Sequence, residues 1–193
     1  EVNFAMRKNV LDYDDVMNKQ RQVIYAERNK ILDGKDLMEL IETVTASTTQ
    51  RICEEFCYGD ADEWDLEGLE KWLTELTGKT DLPEFTEDTK FEQLEEDVTA
   101  FVQKTFDEKT QKLGEEVMRE LAAQVMLRVI DTRWMAYLQE MDYLKTGIGL
   151  RGFGQRDPLV EYKTEAYEAF TLLVNTMYED FLRTILRLEL VNR

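Results

Sequence analysis

The sequence contains no histidine, and this absence removes several kinds of catalytic and metal site at once. Ser-His-Asp and Cys-His catalysis, histidine-ligated zinc and histidine-based pH switches all depend on that side chain. Only 2 cysteines occur among the 193 residues. Two thiols are too few for a four-thiolate metal site or a disulfide framework. The chain therefore carries few of the groups on which common catalytic and metal sites are built.

Proline and glycine are scarce, with 2 and 9 residues, while 43% of the chain is hydrophobic. This composition supports a packed core and is typical of helices rather than of an all-β protein. The net charge of −17 would repel nucleic-acid phosphates. No apolar run approaches the roughly 18 residues that a membrane span requires. We expect a helical intracellular protein without a nucleic-acid partner. Because the chain starts at Glu1 rather than Met, we also expect it to be part of a longer polypeptide.

Apolar residues at three- and four-residue spacing predict an amphipathic helix over about 3–32. Gly34 interrupts the pattern, either as a turn or as a kink in one long rod. Asp36 can cap a second helix that continues to about residue 58. Cys53 and Cys57 lie one turn apart on that helix. Because no other thiol or imidazole is available, we interpret them as apolar core residues rather than metal ligands.

Residues 59–100 hold most of the negative charge, with 15 acidic and 3 basic residues. Two Trp and several Leu at helical spacing lie within this stretch. Disordered acidic segments are poor in both residue types. We therefore predict a small, separate acidic helical subdomain that contains a short amphipathic helix. The apolar positions of that helix are Trp64, Leu66, Leu69, Trp72, Leu73 and Leu76.

The helical pattern returns over 91–146, and its last part carries a nearly heptad apolar stripe. Pro158, preceded by Asp157, starts a second helix that extends to about residue 190. Two long helices with apolar stripes and a short connection predict an antiparallel hairpin. The predicted fold is all-α, with a long helix, an inserted helical subdomain and this hairpin. The predicted divisions are 1–58, 59–114 and 115–193, with the hairpin tip at 147–158.

Two glycine motifs resemble nucleotide sites but lack the required context. Gly147, Gly149 and Gly152 match the dinucleotide fingerprint, yet a helix rather than a strand precedes them. We interpret them as a helix end and a tip with positive φ. Gly78-Lys79-Thr80 ends like a phosphate loop, but position 73 is Leu where that loop needs Gly, and we discard it.

Two surface features remain as candidate sites. The acidic cluster at 12–15 could do acid–base chemistry, but no nucleophile or base accompanies it, and docking to a neighbour is the preferred interpretation. At the hairpin tip, Phe153 is flanked by Arg151 and Arg156 on a glycine-rich loop. Phe153 either folds back onto the hairpin, or inserts into a partner's cavity or contacts an extended chain.

Several runs of sequence resemble the SecA family, the motor ATPases of bacterial protein secretion. These are MRKNVLDYDDVMN at 6–18, QR at 20–21, IY at 24–25, VML at 125–127, Trp134, MDYL at 141–144, GI at 147–148, LRG at 150–152, Gln155, DP at 157–158 and EYK at 161–163. The resemblance is dense over about 1–32 and 117–182. The acidic middle fits the family's helical wing by position and character only.

The resemblance implies a helical scaffold at 1–58 and 115–193, a wing at 59–114, and a two-helix finger whose tip contacts the translocating polypeptide. The family's tip residue is typically Tyr, and Phe153 keeps its bulk without the hydroxyl. The implied channel and substrate contacts at the tip are Arg151, Gly152, Phe153, Gln155 and Arg156. The implied residues for docking to the motor domains are Arg7, Lys8, Asp12, Tyr13, Asp14, Asp15, Asn18, Arg21 and Arg28.

The resemblance also implies partners and a location. These are nucleotide-binding and preprotein-crosslinking domains, the SecYEG channel, unfolded preproteins and anionic lipid, on the inner face of the bacterial plasma membrane. ATP and Mg²⁺ are expected in the parent protein. The chain itself has no phosphate loop or DEAD motif, so it is expected to be no enzyme alone and to hold no cofactor or metal. The alternative is a free-standing, chaperone-like helical adaptor that uses the same tip.

Overall fold

The computed structural model describes residues 2–86, 88–151 and 157–189. Within those residues the secondary structure is helical and no strand occurs, which confirms the all-α prediction. The described residues form the α-helices α1 (Val2–Asp33), α2 (Leu37–Phe56), α3 (Leu66–Thr77), α4 (Phe91–Leu113), α5 (Glu115–Leu150) and α6 (Pro158–Arg187). A single turn of 3-10 helix, Ala61–Glu63, precedes α3.

The interruption after α1 is a true turn, not a kink in one rod. Gly34 adopts φ 72°, a left-handed conformation that glycine takes without the steric cost of a side chain. Asp36 occupies the predicted N-cap position of α2, but its carboxylate makes no capping hydrogen bond. The next helix has a true side-chain cap, because Oδ1 of Asp65 accepts a 2.9 Å hydrogen bond from the backbone N–H of Gly68.

The motif that resembles a phosphate loop is the end of α3. Gly78 adopts φ 73° and closes the helix in the left-handed conformation, with its N–H bonded to the carbonyl of Thr74. Nζ of Lys79 lies 2.8 Å from Oε2 of Glu108 on α4. The Gly-Lys pair therefore serves helix termination and an ion pair.

Glycines hold two kinds of position around α5. Gly114, at φ 93°, separates α4 from α5 within the helical pattern over 91–146, and α5 begins at Glu115. In contrast, Gly147 and Gly149 lie inside α5, which extends to residue 150, so the expected positive φ at these two glycines is wrong. A helical glycine costs about 1 kcal/mol relative to alanine. Burial of Ile148, which is 1% exposed, offsets that cost.

The chain forms two compact units. One comprises Glu1–Asp33 with Leu127–Met177, and the other comprises Gly34–Met126 with Tyr178–Arg193. Helices α5 and α6 each contribute residues to both units. These units divide the chain at other positions than the sequence-based divisions after 58 and 114. Compactness and family domains are different criteria, and the wing and scaffold boundaries stay a prediction.

In the first unit, helices α1, α5 and α6 all contact one another. Tyr137 contacts Phe170, whereas Arg151, later in the sequence, contacts Glu161, which is earlier on α6. The two arms are therefore antiparallel, as expected of a hairpin. Helix α1 packs against both arms with a buried apolar stripe. The buried apolar side chains of this unit are Ile24, Ile31, Ile130, Trp134, Tyr137, Met141, Ile148, Tyr162, Ala166, Leu173 and Met177.

The second unit places α2 against α3 and α4. Cys53 and Cys57 are buried, free and surrounded by this core, which confirms their interpretation as core residues. Four of the six predicted apolar positions of α3 and its approach are also buried: Leu69, Trp72, Leu73 and Leu76. Nζ of Lys109 donates to the carbonyl of Leu186 at 2.7 Å and so caps the end of α6.

Candidate functional site

A buried glutamine joins all three helices of the first unit. The hydroxyl of Tyr137 on α5 donates a 2.7 Å hydrogen bond to Oε1 of Gln20 on α1. Nε2 of Gln20 donates in turn to the backbone carbonyl of Ala166 on α6, at 3.1 Å. The Tyr137 hydroxyl also lies 3.4 Å from that carbonyl. We call this group the glutamine joint: Gln20, Tyr137 and the Ala166 carbonyl.

Aromatic rings surround the glutamine joint. Trp134 stacks on Tyr137 with 5.5 Å between ring centroids, and Phe170 lies at 6.2 Å. Burial raises the pKa of Tyr137, and the hydrogen bond to Gln20 only partly opposes that shift. The phenol is therefore neutral at physiological pH, and it can donate its proton to the amide oxygen.

A second contact between α1 and the hairpin lies nearer the start of α1. The rings of Tyr13 and Tyr162 pack at a centroid distance of 4.8 Å. Nζ of Lys145 lies 5.5 Å from the Tyr13 centroid and 3.8 Å from Oδ1 of Asp14. Burial, aided by the carboxylates of Asp142 and Asp14, raises the pKa of Tyr162 to about 12. This contact combines a ring pair, in which Tyr162 is buried and Tyr13 half-buried, with an exposed ion pair.

A third contact lies towards the end of α1. Nε of Arg28 lies 3.0 Å from Oδ1 of Asp131 on α5, and its Nη2 lies 3.4 Å from Oδ2. This geometry is bidentate, which fixes the orientation of the guanidinium. The pair borders an open groove of about 520 Å³. The groove is lined by Ile24, Tyr25, Arg28, Asn29, Asp131, Trp134 and Met135.

At the tip of the hairpin, the structure describes one of the five predicted contact residues. Nη1 of Arg151 lies 2.9 Å from Oε1 of Glu165 and 3.2 Å from Oε1 of Glu161. Its charge is thus already paired with α6. The other four predicted residues, Gly152, Phe153, Gln155 and Arg156, lie outside the described residues.

The nine predicted docking residues lie along one helix, α1, but they do not form one free surface. Tyr13, Asp14 and Arg28 are engaged with the hairpin. Asp15 pairs with Lys19 of its own helix at 3.4 Å. The exposed members of the set are Arg7, Lys8, Asp14, Asp15 and Asn18, and the half-buried members are Asp12, Tyr13, Arg21 and Arg28.

Sequence reasoning did not single out Gln20, Asp131 or Lys145. For Gln20 a signal exists, because it follows Met17 by three residues and precedes Ile24 by four. A polar residue in an apolar stripe must find a buried partner. The identity of that partner, 117 residues away in the sequence, could not be read from the pattern.

No group of three or more Cys, Asp or Glu side chains in residues 2–86, 88–151 and 157–189 could hold a metal ion. Within the same residues, no helix is both long and apolar enough to cross a membrane. The contacts of Gln20, Tyr13 and Arg28 fix α1 against the two arms of the hairpin.

Comparisons with known proteins agree on one family. Residues 1–189 match the family model of the SecA wing and scaffold domain. The chain is 40% identical to the protein translocase subunit SecA of Syntrophomonas wolfei, covering 99% of this chain and 24% of that protein. It is 39% identical to the Halothermothrix orenii subunit, covering 99% and 23%, and 42% identical to that of Cutibacterium acnes, covering 97% and 21%. The chain spans about a quarter of the length of these relatives.

Proposed function

The chain belongs to the SecA wing and scaffold family, and from this premise we propose that it is the mechanical link of a protein translocase subunit. The observation that carries the proposal is the family match over residues 1–189. The three relatives named above are translocase subunits that match nearly the whole chain. In this proposal, the chain receives movement at α1 and delivers it at the tip of the hairpin, the two-helix finger.

Movement enters through the exposed side chains of α1. Nucleotide-binding and preprotein-crosslinking domains of the subunit, driven by ATP and Mg²⁺, would dock on residues such as Arg7, Lys8 and Asn18. Packed helices respond to such a push by discrete displacement rather than by continuous bending. The contacts of Gln20 and Arg28 with the hairpin provide a direct route from α1 to the finger.

The finger tip acts on the preprotein at the SecYEG channel. Phe153 supplies an aromatic contact that tolerates many sequences, as a motor for many substrates requires. Because Arg151 is already paired with Glu161 and Glu165, it shapes the base of the tip, and Arg156 is the better candidate for contacts with channel loops or anionic lipid. The subunit would work at the inner face of the bacterial plasma membrane.

Translocation of a fluorescent preprotein into SecYEG vesicles tests this function in the full-length subunit that contains this chain. We expect Phe153→Ala and Phe153→Gly to slow translocation, and Phe153→Tyr to retain it, since bulk rather than the hydroxyl is needed. Tyr58→Ala is the matched control, because Tyr58 is an aromatic residue of the second unit that is 83% exposed. Unchanged rates with both Phe153→Ala and Phe153→Gly would refute the role of the tip.

The coding sequence upstream of Glu1 separates this function from a free-standing adaptor. A phosphate loop and helicase-like motifs there would support the translocase subunit. A start codon near Glu1 would support the adaptor, in which the same tip binds extended polypeptide without ATP.

A further inference from the structure

We propose that the glutamine joint is a register lock, which holds α1 and the parts of α5 and α6 within the first unit as one rigid body. The finger then pivots together with α1 and does not slide along it. The evidence for this lock comes only from contacts within the first unit. Only its consequence for translocation rests on the function proposed above.

Burial makes the glutamine joint costly to break. Gln20 is 8% exposed, Tyr137 is 2% exposed and Ala166 is fully buried. If α6 shifted along α1, Nε2 of Gln20 would lose the Ala166 carbonyl, and if both arms shifted together, Oε1 would also lose the Tyr137 hydroxyl. A buried polar group without a partner is strongly unfavourable in such surroundings. The native register is therefore the one that satisfies the amide.

The sequence of α6 restricts the alternatives further. Gln20 reaches a backbone carbonyl at Ala166, whose side chain is only a methyl group. One helical turn away in either direction, the residues are Tyr162 and Phe170. A slide of one turn, about 5.4 Å, would bring a large ring to the position that the methyl group now occupies. Neither neighbouring register admits the same close approach.

The exposed ion pairs of this unit cannot define the register in the same way. Asp14 with Lys145 and Arg28 with Asp131 are open to solvent, and salt screens them. Long charged side chains also follow a small shift by changing rotamer. The buried joint has no such freedom, because Trp134 and Phe170 pack on Tyr137.

Unfolding equilibria of the full 193-residue chain measure whether the joint acts as a unit. We expect Tyr137→Phe to raise the unfolding equilibrium constant about 5- to 30-fold and Gln20→Leu by a similar factor. The double variant should be less destabilised than the product of the two factors, because the hydrogen bond is shared. Tyr143→Phe is the matched control, since it removes a phenol hydroxyl from an 81% exposed position on the same helix. If the double variant raised the unfolding equilibrium constant by the full product of the two factors, the two side chains would act independently and the proposed joint would be refuted.

Distances between spin labels test the register itself. Labels at Asn18→Cys on α1 and Glu168→Cys on α6 use exposed positions, while the native Cys53 and Cys57 are buried. The chain without introduced cysteines controls for labelling of the native thiols. We expect one narrow distance distribution in the labelled parent. Tyr137→Phe with Gln20→Leu should broaden it or add a population displaced by up to about 5 Å, one helical turn.

A merely structural joint would give a different result. If the double variant lost stability but kept the single narrow distance, packing alone would set the register and the lock would be refuted. The experiment contains no nucleotide, channel or preprotein, so its failure leaves the translocase function untouched. Conversely, the spin-label distances could behave as expected while the Phe153 variants translocate at an unchanged rate. That combination would refute the proposed function and leave the register lock intact.

Discussion

Nη1 of Arg151, the residue that follows α5, lies 2.9 Å from Oε1 of Glu165 on α6. Glu161, one turn earlier on α6, accepts from the same guanidinium nitrogen at 3.2 Å. Both carboxylates raise the pKa of Arg151, so the guanidinium is firmly charged. The two arms of the hairpin are thus tied together beside the tip by a solvent-exposed ionic contact.

Reversing one charge should loosen the base of the tip only at low salt. We expect Arg151→Glu to lower the thermal unfolding midpoint in about 10 mM salt, because three carboxylates then face each other. The loss should largely vanish near 1 M salt, where the Debye length is about 3 Å. The combined variant Arg151→Glu with Glu165→Arg should recover most of the low-salt loss. Calorimetry at both salt concentrations measures the effect, and a salt-independent loss would contradict an ionic contact.

Alanine should have opposite effects at two glycines. Gly147 is helical and no atom lies within 4 Å of an added Cβ, so Gly147→Ala should stabilise the chain by about 0.5–1 kcal/mol. Gly78 has φ 73°, a conformation that disfavours a side chain, so Gly78→Ala should destabilise the chain by about 1–2 kcal/mol. Urea unfolding measures both. If Gly147→Ala destabilised the chain, α5 would not continue through this position.

Gly147 shows what a sequence pattern can and cannot predict about a helix. Apolar spacing predicted α1 and both arms of the hairpin, because burying one face dominates the stability of a long helix. It did not predict that α5 passes through Gly147. Glycine is read as a breaker, but its cost of about 1 kcal/mol is smaller than the gain from burying Ile148.

The candidate site was less accessible to prediction than the fold. Periodicity reports which face of a helix is buried, and so it could indicate that Gln20 faces the core. It does not report which residue of another helix lies opposite. The pairing with Tyr137, and that of Arg28 with Asp131, depend on how three helices are placed side by side. Arg151 was predicted as a tip cation, and its two partners on α6 were not foreseen.

Two aspartates at helix starts should differ in their contribution to stability. Asp65 accepts a hydrogen bond from the N–H of Gly68, so Asp65→Ala should cost about 1 kcal/mol. Asp65→Asn should retain most of that stability, because the amide oxygen can accept the same bond. Asp36 makes no capping bond, and Asp36→Ala should cost clearly less. Chemical denaturation measures the free energy of unfolding of the three variants. Equal losses of stability in Asp65→Ala and Asp36→Ala would contradict the difference in capping between the two aspartates.

The native thiols should be protected until the second unit unfolds. Burial is the main cause that raises the pKa of Cys53 to about 12, and it also raises the pKa of Cys57. For Cys53 the fraction of thiolate at pH 8 falls on the order of 10²- to 10³-fold. We expect Ellman's reagent to react slowly with the native chain and rapidly in denaturant. Asn18→Cys, exposed on α1, provides a fast-reacting control. Fast native reaction of both thiols would contradict their burial.

Tyr162 should make the chain sensitive to alkaline pH. Its pKa is about 12 in the folded chain against the ordinary 10.0, so the unfolded chain releases the phenol proton first. The stabilisation linked to this shift is therefore complete below pH 10 and is lost as pH rises towards 12. Tyr162→Phe removes this proton and should flatten the decline between pH 10 and 12 by about 1–2 kcal/mol. Urea midpoints at pH 8, 10 and 11.5 measure the slope, with the exposed Tyr143→Phe as control. An equally steep decline in Tyr162→Phe would show that burial of this phenol does not govern the alkaline transition.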